Sequence, residues 1–273
     1  MKNIKIFALL AAFMLSSAAS AQHQYVVNAK KLGAPVQPTM YGIFFEDINF
    51  GADGGLYAEL VENRSFDFPQ QLMGWSIFGN VAVGDANPAF ERNPHYVTLS
   101  DPGHHDKFTG MENHGFFGMG LKRDMDYHFS VFARTDGTSR IRVELVDADN
   151  NPIGRKSIAI SGHEWKKYTA TLRSPKTDAK AFLRIYLESA ASVDLDHVSL
   201  FPADSWNGLR RDLVNDLKDL HPGVFRFPGG CIVEGTTLAE RYQWKNTVGP
   251  VENRPININR WNYGTFERMF PDY

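Results

Sequence analysis

Two short apolar runs in this sequence end in residues able to do chemistry. Met40-Tyr41-Gly42-Ile43-Phe44-Phe45 leads into Glu46 and Asp47, with Asn49 two positions on. Val224-Phe225-Arg226-Phe227 leads into Pro228-Gly229-Gly230-Cys231, with Glu234 three positions later. A carboxylate at the end of an apolar strand can accept hydrogen bonds from a hydroxylated ligand. If desolvated, it can also move protons. Glu46 suits that role, and suits a salt bridge or a helix cap equally well. The Gly229-Gly230 pair allows backbone to approach a ligand or another segment closely. It fits neither phosphate-loop pattern, G-x-G-x-x-G or G-x-x-x-x-G-K-[ST], so a tight turn is favoured over a nucleotide site. Cys231 reads as a small apolar group or a pocket-lining thiol, because nothing marks a partner base that would make it a nucleophile. Trp244, in the polar stretch Tyr242-Gln243-Trp244-Lys245-Asn246, can stack on a sugar face or pack against its own loop.

Other clusters point less clearly. Asp101, His104, His105, Asp106 and His114 invite a metal reading, but the spacing matches no zinc pattern. Adjacent His104 and His105 cannot both face one ion from a strand, so a solvated loop is favoured. Trp75, Trp165 and Trp206 read mostly as core. The single cysteine excludes an intrachain disulfide and a cysteine-based metal cluster. With 29 Lys+Arg against 31 Asp+Glu, the net charge of -2 excludes a broad basic surface for nucleic acid or anionic membrane.

The elements that must position these residues fall into two grammars. The first apolar run reads as a strand ending in carboxylates. After the turn Ala52-Asp53-Gly54-Gly55, the residues Leu56, Tyr57, Leu60 and Val61 fit a short amphipathic helix. Gln24-Tyr25-Val26-Val27 ahead of them is strand-like. Leu209, Leu213, Leu217 and Leu220 lie on one helix face, with Asp204 or Ser205 as cap and His221-Pro222-Gly223 as stop. Val224 to Phe227 then reads as a second short buried strand. The flanks are therefore α/β. The middle is different. Tyr127, Phe129, Val131 and Ala133 alternate with polar residues, as do Ile141, Val143 and Leu145. Stretches around Trp165 to Leu172, Phe182 to Leu187 and Val193 to Phe201 follow, separated by turn residues. Such spacing predicts an antiparallel β-sandwich, placed at residues 70–203. The expected fold class is thus α/β plus all-β.

The N-terminus has a charged start at Lys2 and Lys5, an apolar run Ile6 to Leu15, and Ala19-Ser20-Ala21. This order predicts a secretory signal peptide over residues 1–21, cleaved after Ala21. No later run is long and apolar enough to span a membrane, and no cysteine follows that could carry a lipid anchor. The expected location is periplasmic or extracellular.

The stretches Tyr41-Gly42-Ile43-Phe44-Phe45-Glu46-Asp47-Ile48-Asn49 and Phe225-Arg226-Phe227-Pro228-Gly229-Gly230-Cys231 resemble the family 51 glycoside hydrolases, the α-L-arabinofuranosidases. Ala58-Glu59-Leu60-Val61-Glu62-Asn63-Arg64-Ser65-Phe66, Trp244-Lys245-Asn246-Thr247-Val248-Gly249-Pro250 and Arg254-Pro255 extend the resemblance. The middle is similar to the carbohydrate-binding-module-like sandwich of many secreted members, down to Asp194-Leu195-Asp196-His197-Val198-Ser199-Leu200. The resemblance implies a (β/α)8 barrel, begun by residues 22–69, interrupted by the sandwich at 70–203 and continued by 204–273. The two flanks together hold less than half of the roughly 250 residues of a typical complete barrel. It implies removal of terminal α-L-arabinofuranosyl units from arabinoxylan, arabinan and related glycans, with retention, by two glutamates and without metal or organic cofactor. Both catalytic glutamates are expected beyond Tyr273, so a pairing of Glu46 with Glu234 as the reacting carboxylates is rejected. By position, Glu46 matches the glutamate that contacts the arabinose hydroxyls, and Cys231 matches a position lining the same pocket. The alternative is a non-catalytic carbohydrate-binding protein. The sequence leaves the oligomeric state open, a homo-oligomer of a full-length protein included.

Overall fold

The computed structural model describes residues 23–48, 50–101, 103, 108–235 and 237–256. The signal peptide, Asn49, the His104-His105-Asp106 cluster and residues 257–273 lie outside them. The chain divides into two units, Met1–Pro38 and Thr39–Tyr273. In the first, the described residues form no α-helix or strand, and a 3-10 turn, Pro38–Met40, begins only at its last residue. Tyr25, Val26 and Val27 are 83–89% exposed rather than in the expected strand. Apolar β-formers make a strand only where a partner takes their hydrogen bonds.

In the second unit, eleven strands between Trp75 and Pro202 form two packed antiparallel sheets. In chain order the first five are β2 (Trp75–Phe78), β3 (Asn80–Gly84), β4 (Tyr96–Ser100), β5 (Gly110–Asn113) and β6 (Met119–Leu121). The rest are β7 (Asp126–Arg134), β8 (Thr138–Val146), β9 (Pro152–Ser161), β10 (Lys166–Arg173), β11 (Asp178–Leu187) and β12 (Val193–Pro202). One sheet runs β10-β7-β12-β4-β3. The other runs β2-β5-β11-β8-β9, with β6 also on β11. The alternation read in the sequence sends Tyr127, Phe129, Val131 and Ala133 inward from β7, and Ile141, Val143 and Leu145 inward from β8. They meet Leu183, Ile185, Leu195 and Leu200 in one core.

One edge of the sandwich is closed by residues 58–66. The pairing of β12 with β7 shifts between Asp196 and Ser199, where His197 has φ 46°. Beyond Leu195 the far side of β12 has no partner strand among the described residues. There the Leu60 N–H donates to Leu200 O (3.1 Å) and the Val198 N–H to Arg64 O (2.9 Å). Glu59, fully buried, accepts from the Leu200 N–H (2.8 Å), the Ser199 hydroxyl (2.6 Å) and Arg64 Nη1 (3.2 Å). Burial pushes its carboxyl up, and the Arg64 charge opposes that shift. Val61 and Phe66 enter the sandwich core. The helix expected over Leu56 to Val61 is therefore absent. Leu56 packs in a small separate cluster with Ala52, whereas Val61 packs in the sandwich, and one helix face cannot serve two cores.

Outside the sandwich lie β1 (Ile43–Phe44) and β13 (Phe225–Arg226), paired in parallel with Ile43 opposite Phe225 and Phe44 opposite Arg226. Helix α1 (Arg211–Asp219) precedes β13. Its Leu213, Val214 and Leu217 pack with Phe45, Phe227, Ala52 and Leu56, as the leucine spacing predicts. The N-cap is Arg210, without a side-chain cap bond, so neither Asp204 nor Ser205 caps it. Leu220 is 61% exposed just past the last turn. The expected buried strand at 224–227 is instead exposed, with Phe225 at 50% and Val224 at 51%. Short parallel strands read as continuous apolar runs because they are built to be covered on both faces. Among the described residues only one face is.

Candidate functional site

The parallel register brings the two strand ends into contact. Glu46 follows β1 by two residues, and Gly229-Gly230 follow β13 by three. The Gly230 N–H donates to Glu46 Oε1 at 3.0 Å. Gly229 has φ 136°, and a Cβ there would lie 2.4 Å from Glu46 Cγ, so any side chain would displace the carboxylate. Arg226 borders the corner. Its guanidinium sits 4.4 Å from the Phe44 ring centroid, and its Nη2 lies 3.5 Å from the Gly229 carbonyl oxygen. Cys231, half-buried, opens the short helix α2 (Cys231–Glu234) immediately after Gly230. Phe45 stacks on Phe227 beneath these turns, with ring centroids 5.9 Å apart.

Glu46 and Asp47 have opposite fates. Glu46 meets Gly230 across the sheet, whereas Asp47 is fully buried and accepts the Ala52 N–H at 2.8 Å. Burial pushes the Asp47 carboxyl up to about 7, and the Ala52 hydrogen bond partly offsets this. Asp47 thereby closes the turn over residues 47–52. Backbone bonds from Ile48 N–H to Glu46 O (2.9 Å) and from Gly51 N–H to Ile48 O (3.1 Å) hold the same turn.

The other expected residues are spread out. Trp244 opens a 3-10 turn, Trp244–Thr247, and is 64% exposed. Glu234, at the end of α2, is exposed. Asp101 accepts the Gly103 N–H, and the His114 ring stacks on Phe182 at 4.4 Å. Among the described residues no three metal-binding side chains gather. Trp75 is in the core and donates to Asn63 O. Trp165 lies at the sandwich edge under the Arg134 guanidinium, 4.5 Å away. Trp206, expected in the core, is 48% exposed. It sits in a tight turn where it bonds Leu209 in both backbone directions, and that turn leaves its ring outside.

Sequence reasoning missed two contributors. One is Phe50, whose ring meets Phe116 and Phe117 of the β5–β6 loop, a contact between residues more than sixty positions apart. The other is Arg226, whose place over Phe44 and at the Gly229 carbonyl depends on the strand register. Its charge inside an apolar run was the only available sign.

The arrangement is a carboxylate held at a strand end by the Gly230 amide, with Cys231 next along the chain and Arg226 at the Gly229 carbonyl. It offers acceptors and donors for a polyhydroxylated ligand. Residues 216–269 match the α-L-arabinofuranosidase 1 domain, and residues 58–192 match a carbohydrate binding domain. An extracellular exo-α-L-arabinofuranosidase of Streptomyces chartreusis is 38% identical over 265 residues, covering 88% of this chain and 31% of the relative. Alpha-L-arabinofuranosidase 1 of Arabidopsis thaliana is 33% identical, covering 85% of this chain and 37% of the relative. An arabinose-bound family 51 α-L-arabinofuranosidase superimposes with a TM-score of 0.75 at 29% identity, over 82% of this chain and 39% of that one. The chain thus spans about a third of the length of the curated relatives it matches. With a stretch that matches a carbohydrate binding domain lying between the strand that leads to Glu46 and the strand that leads to Cys231, the chain is similar over most of its own length to part of the family 51 α-L-arabinofuranosidases.

Proposed function

We propose that this chain supplies part of the sugar-binding wall of an exported α-L-arabinofuranosidase that releases terminal α-L-arabinofuranosyl residues from arabinoxylan or arabinan with retention. The observation that carries this reading is the contact between Glu46 and Gly230, which joins two family motifs 184 positions apart. Glu46 accepts hydrogen bonds from arabinose hydroxyls, Cys231 lines the pocket, and Trp244 offers an exposed ring to a sugar face. Parallel β1 and β13, with α1 between them in sequence, are read as the first strands and helix of a (β/α)8 barrel. The exposed outer faces of Phe44 and Phe225 fit strands meant for further neighbours. Residues 70–203 are read as the inserted module, and 22–69 and 204–273 as barrel segments. Export follows from the N-terminal pattern, and the Streptomyces relative is named as extracellular. No helix among the described residues is long and apolar enough to cross a membrane.

In this reading the two reacting glutamates of the retaining mechanism are none of the residues present. The purified 273-residue chain is therefore expected to bind L-arabinose saturably in a calorimetric titration and to leave an aryl α-L-arabinofuranoside unhydrolysed. Turnover would overturn the assignment of the reacting groups, and absence of binding would overturn the assignment of the wall.

A second reading, glycan binding by the sandwich itself, is favoured by one surface. On the outer face of the β2-β5-β11-β8-β9 sheet, Phe78 and Phe108 lie 5.2 and 5.9 Å from the Tyr186 ring and line a shallow cavity of about 390 Å³. Arg142 and Arg184 border Tyr186. If this face holds polymer, Tyr186→Ala reduces retention in a native gel containing soluble arabinoxylan. Unchanged retention would remove the second reading.

A further inference from the structure

The inserted sandwich reaches back to the sheet end that carries Glu46. Its β5–β6 loop, residues 114–118, packs against the turn that follows β1. The Phe116 ring lies flat over Gly54: a Cβ at Gly54 would sit 2.3 Å from Phe116 Cγ, and Gly54 has φ 79°. Phe50, four residues after Glu46, meets Phe116 at 5.3 Å and Phe117 edge-on at 5.4 Å. Phe116 is thus the anchor. Phe117 beside it is 67% exposed.

The loop holding Phe117 is rigidly tied. The Gly118 N–H donates to His114 O (3.0 Å), the Gly115 N–H to Asn113 Oδ1 (3.0 Å), and Lys180 Nζ to Phe117 O (2.6 Å). A loop held by such hydrogen bonds has less backbone freedom to lose when its exposed ring binds. Exposure alone assigns Phe117 no role; what bears on one is its place beside Phe50, on the wall of a cavity.

The topology places this ring at the correct end of the sheet. Because β1 and β13 are parallel and α1 leads into β13, the start of α1 lies at the end where β1 finishes. Backbone bonds from Ala58 N–H to Gly208 O (2.8 Å) and from Arg210 N–H to Leu56 O (2.8 Å) join the two segments there. Between them and the loop is a cavity of about 450 Å³, walled by Phe116, Phe117, Tyr57 and Tyr127, with Lys122 and Asp204 among its polar lining groups. Its size is that of a site for a ring or two, and its mix of aromatic walls and charged rim suits a polyhydroxylated ring.

We propose that Phe117, carried by the carbohydrate-binding domain, is a specificity residue of the arabinofuranosyl site, stacking on a backbone sugar ring of the polymer from which the arabinose branches. This rests on the arabinose reading of the Glu46 corner. The sandwich then contributes to recognition through the loop that faces the barrel segment, independently of the Tyr186 face.

The test is calorimetric titration of the full chain with two probes. One is free L-arabinose, and the other is an arabinoxylan-derived oligosaccharide carrying one arabinofuranosyl branch. Phe117→Ala should weaken the oligosaccharide about tenfold while leaving arabinose unchanged, and Phe117→Trp should restore the oligosaccharide affinity. Equal oligosaccharide affinity in wild type and Phe117→Ala would overturn the proposal while leaving the arabinose reading intact. So would parallel weakening of both probes. Failure of wild type to bind either probe would overturn the arabinose reading, and this proposal with it. An unchanged melting temperature of Phe117→Ala guards against a folding defect, which the exposed position makes unnecessary to invoke.

Discussion

The sandwich and the segments flanking it differ in how they complete themselves. The sandwich builds most of its core from its own strands: its inward residues Leu99, Met111, Ile141, Leu183 and Leu195 are fully buried. The stretch of β12 past Leu195 is covered by residues 60–64. The flank strands are two residues long, and their aromatic side chains Phe44 and Phe225 are half-exposed. Helix α1 buries no residue completely. Antiparallel hairpins satisfy their neighbours within one stretch of chain, whereas parallel strands depend on distant segments for both faces. The proposed binding corner nevertheless lies on the less self-sufficient region, where the two strand ends converge.

The largest expected effect breaks this contrast if it fails. Leu183→Ala, in the centre of β11, should cost roughly 3–5 kcal/mol in chemical denaturation, while Phe225→Ala in β13 costs under about 1 kcal/mol. Similar costs would mean that the flank is packed as firmly as the sandwich. Next is the clamp between the two regions. Glu59→Gln keeps the shape but removes the charge beside Arg64 and weakens the bonds to Ser199 and Leu200. A loss of roughly 3 kcal/mol is expected, read as a lower denaturation midpoint. A neutral outcome would show that residues 58–66 dock on β12 by backbone bonds alone.

A smaller effect, of opposite sign, comes from Asp47. Its carboxyl is raised from 3.8 to about 7, so the folded chain holds a proton that the unfolded chain releases. The associated stability is full below about pH 4, erodes as pH rises toward 7, and is gone above it. Asp47→Asn keeps an oxygen for the Ala52 N–H without the charge. It should therefore flatten that slope and exceed wild type above pH 7, by on the order of 2–3 kcal/mol. Melting temperatures at pH 5 and pH 8 measure it, and a larger advantage at pH 5 would contradict the burial account.

What was legible in the sequence follows the same divide. Strands β7 and β8 are long and alternate in sequence, so their inward residues could be named from period two, whereas β11 and β12, with runs of consecutive buried residues, were legible only as strand-like stretches. The shorter β2 to β6 were not separable. Gly110-Met111-Glu112-Asn113 and Met119-Gly120-Leu121 are too short to show a period, and their pairing with β11 decides them. In Leu56 to Val61 the apolar spacing mimics a helix because the residues serve two cores. The site corner was legible at Glu46 and Gly229-Gly230-Cys231, since both runs end at recognisable strand termini. The contributions of Arg226, Phe50, Phe116 and Phe117 were not, because they arise from register and from contacts between distant segments.

The central claim is that Glu46, held by Gly230, receives the arabinose hydroxyls. Titration of the full chain with L-arabinose, followed by amide chemical shifts of residues 226–235, tests it most directly. Wild type should show saturable shifts centred on Gly229 and Gly230, and Glu46→Gln should weaken binding at least about tenfold with the fold intact. Equal affinity in Glu46→Gln, or shifts confined to the Tyr186 face of the sandwich, would contradict the account.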